Sequence, residues 1–259
     1  MYHLSKLRFP EVEGVARSGR SLVILPVGAV EEHGPHLPLG LDTFAAEAYA
    51  ETAAPHLEDA GYTVILAPAV SYGVARQAID FAGTLTLEPA TLRALIIDIA
   101  RSLAGAGFKR QVILNGHGEI PHVGALEEAA RAVAEEETAR IICVGFTSDP
   151  AITNACVREG TQGLSRSPRP DREGHAGEWE TSLALYCFPN LLDKQALQKL
   201  DSNFDYDVDA LRTEKKNYWT LTAGRGYFGS PGAASPETGR ALLTIRGRNI
   251  AQVILKAFH

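Results

Sequence analysis

The chain predicts an α/β protein with a mostly parallel central sheet covered by helices on both faces, on three observations. Short aliphatic and β-branched runs alternate with Ala- and Glu-rich stretches of ten residues or more between residues 22 and 146. The runs are continuously apolar, as strands buried on both faces must be. Each run is also followed at once by Pro, Gly or both, which stops the strand and opens a loop.

The first strand is LVIL at 22–25, too short for a helix and ended by Pro26 and Gly28. The polar segment VGAVEEHGPHLPLGLD follows to residue 42. Glu31 and His33 are two apart, so in extended backbone their side chains point the same way, and Asp42 comes after a Gly/Pro-punctuated turn. Residues 43–61 have the composition and spacing of a crossover helix stopped by Gly61. A second strand at 62–67, closed by Pro68, delivers a long loop at 71–87. A second helix spans 87–107, and a third strand at 110–114 runs directly into NGHGE. A third helix follows at 123–137 and a fourth strand at 139–146.

Beyond residue 147 the alternation weakens. LSRSPRPDRE at 164–173 reads as a loop, and a helix starting near Gly177 carries Glu178 and Glu180 in its first turn, beside His175. Residues 191–219 are polar and irregular, 224–239 are dense in turn residues, and 240–258 form a last helix, or a strand and then a helix. Nothing marks a second domain, so one domain spanning 1–259 is expected. With right-handed crossovers, ligands bind beyond the carboxyl ends of the strands, which is where Glu31, His33, His117 and Glu119 fall.

Composition narrows the partners. Of 259 residues, 45% are hydrophobic, enough for a substantial core, and the formal net charge is -6 with no long basic run, which argues against nucleic acid and anionic membranes. The N-terminus lacks a signal-like apolar stretch and no segment suits a membrane span, so a cytoplasmic protein acting on a small soluble molecule is expected. Cys143, Cys156 and Cys187 are odd in number and form no C-x-x-C pair. A disulfide framework is therefore not expected; Cys143 and Cys187 sit in apolar runs as small core residues.

The residues Glu31, His33, Asp42, His117, Glu119 and Glu180 offer carboxylate oxygen and imidazole nitrogen without thiolate, a donor set suited to zinc, manganese or iron. A His or Glu in a loop is by itself more often solvated than a ligand. E-x-H-x8-D after one strand and G-H-x-E after another, placed at the same sheet edge, raise the metal reading. Six donors exceed the three that one catalytic zinc uses, so two ions per chain sharing a carboxylate are expected. Such a pair can polarise a carbonyl and deliver a bridging hydroxide at neutral pH, and hydrolysis is its natural use.

These residues lie in GAVEEHGPHLPLGLD, LNGHGE, HAGEWETSLAL and GYFGSPGAASPETG, and the four strings resemble the creatininase family of metal-dependent amidohydrolases from about residue 25 to residue 239. The resemblance implies a three-layer α/β/α sandwich, a homohexamer, and two divalent metals (Zn, Mn or Fe) that hydrolyse a carbon-nitrogen bond in a cyclic amide or related amide. It implies that Glu31 and His117 hold one ion, that His33 holds the other, and that Asp42 bridges them. Glu119 matches the carboxylate that creatininase proper uses at the second ion, while members reading NGHGGN draw on the equivalent of Glu180; both are present, so the sixth ligand stays open. His175 matches a histidine implicated in acid-base work, and His175 and Glu119 are the candidate catalytic residues.

The sequence departs from the family at 72–84, YGVARQAIDFAGT, where Ser, Glu, His and Pro of the pattern Y-G-x-S-x-E-H-x-x-F-P-G-T are replaced, and an aromatic residue before His175 is also missing. Creatinine is therefore not carried over as substrate. Arg76, Arg166, Arg169 and Arg172 could pair with a carboxylate or phosphate, or form a solvated loop. Two alternatives stand beside the amidohydrolase: hydrolysis of a carbon-carbon bond in a cyclic polyhydroxy ketone, and a non-catalytic binding subunit that kept the fold. The retained carboxylates weigh against the second.

Overall fold

Largely apolar runs of four to seven residues form four strands of a five-stranded parallel sheet in the computed structural model, which describes residues 1–259. The elements are β1 (Tyr2–His3), α1 (Phe9–Ala16), β2 (Ser21–Val27), α2 (Leu41–Asp59), β3 (Thr63–Leu66), α3 (Pro89–Gly105), β4 (Arg110–Asn115), α4 (Ile120–Glu135) and β5 (Arg140–Gly145), then the short α5 (Pro150–Thr153) and α6 (Glu178–Cys187). Three one-turn helices follow, α7 (Lys194–Leu197), α8 (Val208–Arg212) and α9 (Tyr218–Thr222), and the chain ends in α10 (Pro236–Phe258).

The sheet order is β1-β3-β2-β4-β5, with Leu25 opposite Ile113 and Val27 opposite Asn115 across the central pair. From β2 the chain moves outward to β3 on one side, and from β4 outward to β5 on the other. The switch point of the sheet therefore lies between β2 and β4, and a crevice opens beyond their carboxyl ends.

Strand alternation splits the core into two layers. Leu22, Ile24, Val64, Leu66, Val112 and Leu114 face one side, where Ala50, Ala53 and Leu57 of α2 and Ile250 and Ile254 of α10 cover them. Val23, Leu25, Ile65 and Ile113 face the other, against Leu92 and Ile96 of α3 and Leu126 and Val133 of α4. Each fully buried aliphatic side chain contributes roughly 1.5 to 3 kcal/mol, so burial on both faces is what holds this sheet.

Two features depart from the sequence expectation, and one alternative that it left open is decided. A fifth strand, β1, pairs with β3, and α1 lays Val12, Val15 and Ala16 against the α3 side; a two-residue strand carries no periodicity to read. The last segment is one helix without a strand, and it begins at Pro236 because Ser235 accepts from Thr238 N (3.1 Å) as an N-cap with Pro in the first turn. The irregular stretch from 191 holds α7, α8 and α9, started by the capping side chains of Asp193, Asp207 and Asn217.

Candidate metal centre

Two glycines set where the polar residues meet. A side chain on Gly28, just past β2, would strike the backbone of Thr43, and one on Gly116, just past β4, would strike the carbonyl of Asp42. Both therefore let the first turn of α2 settle over the ends of the two central strands, bringing Asp42 between them. Glu31 and His33 arrive from the loop after β2, fixed in part by Glu31 N donating to Leu39 O (3.0 Å). His117 arrives two residues after β4. Glu180 comes from the first turn of α6, where its carboxylate accepts from Ala176 N (2.6 Å).

The side chains converge in a buried cluster. His117 Nδ1 lies 3.2 Å from Glu31 Oε1 and 3.0 Å from Asp42 Oδ2. His33 Nε2 lies 3.2 Å from Asp42 Oδ1, 3.8 Å from Glu31 Oε1 and 3.9 Å from Glu180 Oε2. His175 Nδ1 is 3.5 Å from Glu31 Oε1, and its ring sits 4.2 Å from that of His33. Glu31, Asp42 and His117 thus form one triad and His33, Asp42 and Glu180 a second, with Asp42 common to both, while Glu31, His33 and His175 are close enough to form a third.

Each histidine pairs its other ring nitrogen with a backbone carbonyl: His33 Nδ1 with Glu31 O (3.2 Å), His117 Nε2 with Val74 O (2.8 Å) and His175 Nε2 with Glu32 O (2.7 Å). Such pairing fixes the tautomer and aims the free lone pair into the carboxylates, as metal-ligating histidines require. Glu31 Oε2, His33 Nε2 and Asp42 Oδ2 are buried without a hydrogen-bond partner. Buried polar atoms are almost always satisfied, so these orphans, with an all-nitrogen-and-oxygen donor set, fit divalent metal.

Without metal the cluster is held by protons. Burial would lower the pKa of His33, but Asp42, Glu180 and Glu31 override it and push the value up to about 10. His117 follows the same pattern through Glu31 and Asp42, and Asp42 is driven far below the carboxylate range by His33 and His117 despite its burial. His175 is opposed by burial and by His33 yet is raised by Glu31 and Glu32.

Glu119 lies apart from all three triads. Its carboxylate accepts from Arg76 N and Gln77 N, each at 3.0 Å, and burial raises its pKa. Three of the four candidate arginines are engaged elsewhere: Arg76 with Glu88, Arg169 with Asp171, and Arg172 with the carbonyls of Phe204 and Tyr206. The cysteines are free, and Cys156 is fully buried in the core.

Several supporting residues carry no motif of their own. Asn115 Oδ1 accepts from His117 N (2.9 Å) and from His122 Nε2 (3.1 Å), while His122 Nδ1 accepts from Val74 N (3.1 Å), so His122 is a neutral, buried strut. The Glu32 carboxylate stands 3.4 Å from His175 Nε2. Glu178 is fully buried and accepts from Arg166 N, Ser167 N and the Ser165 hydroxyl, pinning the loop before His175. The paired acids Glu31-Glu32 and Glu178-Glu180 were the available signal, but only contacts between distant segments separate the member of the cluster from its strut.

Comparison with known proteins places these residues in context. A family model for creatininase, described as creatinine amidohydrolase, matches residues 5–254. The chain is 29% identical over 269 residues to the creatinine amidohydrolase of Pseudomonas putida, covering 98% of this chain and 96% of the relative. It is 34% identical over 170 residues to the mycofactocin precursor peptide peptidase of Mycolicibacterium smegmatis, 65% of this chain and 59% of that one. Similarity to the 3-dehydro-scyllo-inosose hydrolase of Thermotoga maritima is 29% over 180 residues, 67% of this chain and 52% of the relative. A solved structure described as "Creatininase Mn" superposes with a TM-score of 0.75 at 26% identity, over 99% of this chain and 98% of that chain.

Proposed function

This chain belongs to the creatininase family of metal-dependent amidohydrolases, and on that premise we propose that it hydrolyses a carbon-nitrogen bond of a small polar molecule at a two-metal site. Glu31, Asp42 and His117 hold one ion, and His33, Asp42 and Glu180 hold the second. Asp42 is common to both because each of its oxygens faces a different histidine. Divalent ions bound there supply a Lewis acid for the substrate carbonyl and acidify water to a nucleophile at neutral pH. The observation that carries this reading is the set of buried donors left without hydrogen-bond partners between the two triads.

The chain's own residues supply the remaining tasks. His175 keeps Nε2 on Glu32 O and presents Nδ1 to the centre, which suits it to pass a proton to the leaving nitrogen. Glu119 holds the backbone of residues 76–77 and so shapes the loop that departs from the creatininase pattern. That departure removes creatinine as the favoured substrate and leaves another cyclic amide, lactam or formamide. A cytoplasmic homohexamer is the assembly this reading expects.

A second reading, hydrolysis of a cyclic polyhydroxy ketone, is supported by the similarity to 3-dehydro-scyllo-inosose hydrolase. A substrate panel assayed for both substrate loss and release of amine or ammonia separates the two. Nitrogen release from an amide by the metal-loaded enzyme supports the first; turnover only of the polyhydroxy ketone, with no nitrogen released, replaces it with the second.

A further inference from the structure

We propose that Tyr218 belongs to the site, its hydroxyl donating a hydrogen bond to the substrate carbonyl oxygen as the attacked carbon becomes tetrahedral. The inference rests on the amidohydrolase reading above and adds a residue to it. Tyr218 opens α9, in a stretch with no sequence signal for the site. Its N–H donates to Gln77 O (2.8 Å), and Gln77 N donates in turn to Glu119 Oε2 (3.0 Å), tying α9 to the loop after β4. Asn217 secures the turn from the other side: Oδ1 accepts from Thr220 N (2.9 Å) and Nδ2 donates to Asp80. The tyrosine ring lies 4.6 Å from the His175 ring and meets Phe228 edge-on at 5.4 Å. Backbone and ring contacts therefore both fix where this phenol sits.

Tyr218 is half-buried, and its hydroxyl, unlike those of Tyr49, Tyr62, Tyr206 and Tyr227, makes no hydrogen bond to the protein. Tyr49 accepts from Arg246, and Tyr62, Tyr206 and Tyr227 donate to the carbonyls of Phe258, Arg172 and Asp201. Tyr218 instead packs its ring against His175, within the field of the carboxylates Glu31, Glu119, Glu180 and Asp42. Burial and these charges hold its pKa well above the ordinary phenol value, so it remains a neutral donor throughout the working pH range. A fixed, protonated donor beside the acid-base histidine is suited to stabilise charge developing on an oxygen, and such donors act most strongly in water-poor sites.

Tyr218→Phe removes the hydroxyl and keeps the ring against His175. Zinc-loaded wild type and variant would be compared for zinc content by elemental analysis, for melting temperature, and for binding of inorganic phosphate, a tetrahedral oxyanion, by calorimetry. The expected result is unchanged zinc and melting temperature with phosphate binding weakened about tenfold, the loss of one net hydrogen bond. Tyr206→Phe, whose hydroxyl donates to Arg172 O, should leave phosphate affinity unchanged. Equal phosphate affinity in wild type and Tyr218→Phe, no phosphate binding by zinc-loaded wild type, or loss of zinc in the variant would each overturn the assignment. Absence of zinc from wild type would overturn the metal reading beneath it as well.

Discussion

Removing metal from the centre should make stability sensitive to alkali in a way that the loaded protein is not. His33 is fully buried, with Asp42 3.2 Å, Glu31 3.8 Å and Glu180 3.9 Å from its Nε2. Those carboxylates outweigh burial and raise its pKa to about 10, while the same histidine in the unfolded chain titrates near 6.5. Between these values the folded state keeps a proton that the unfolded state has released. The contribution is complete below pH 6.5 and is lost as pH rises through about 10, at about 1.4 kcal/mol per pH unit and about 5 kcal/mol across the window. His117, raised by Glu31 and Asp42, steepens the slope. Metal requires the neutral imidazole, so loading releases the proton and empties the window. Urea unfolding at pH 7, 8 and 9 of chelator-treated and zinc-loaded protein measures this directly. A flat profile in the chelated protein, or equal slopes in both, would refute the reasoning.

Other changes separate ligand from support. Glu180→Gln should lower metal content by about one ion per chain on elemental analysis, since it removes a charged donor from the second triad. Glu119→Gln should keep both ions but cost about 1 to 3 kcal/mol in urea unfolding, because an amide cannot accept from both Arg76 N and Gln77 N. His175→Ala should keep metal and lower kcat by about 10²- to 10⁴-fold on whichever amide the panel identifies; normal turnover would remove His175 from the chemistry. Ser235→Ala, far from the chemistry, should cost about 1 kcal/mol through the lost cap of α10.

The four strands of the sheet's centre and flank were legible because each is a continuous apolar run ended by Pro or Gly. The strand-end placement also followed from topology, which brings Glu31, His33 and His117 to one crevice once β2 and β4 are neighbours. Asp42 was read as a loop residue but lies in the first turn of α2, since LPLG leads into the helix without a separate cap. Which of Glu119 and Glu180 stands in the buried cluster was not legible. It turns on the N–H groups of residues 76 and 77, some forty positions from Glu119, and no local spacing reports such a contact. The arginines of 166–172 were weighed as anion readers, yet Arg169 and Arg172 are taken up by Asp171 and by two carbonyls, partners that only the folded loop supplies. Tyr218 was invisible for the same reason, being an aromatic residue in a polar stretch until α9 sets it beside His175.

Metal content per chain, measured by elemental analysis on protein purified without chelator, tests the two-metal centre most directly when set beside Asp42→Ala. Asp42 faces both His33 and His117, so about two ions should be found in the wild type, with both lost or weakened by the single substitution. One ion in the wild type, undisturbed by Asp42→Ala, or none after zinc, manganese and iron(II) are supplied, would contradict the shared-carboxylate site.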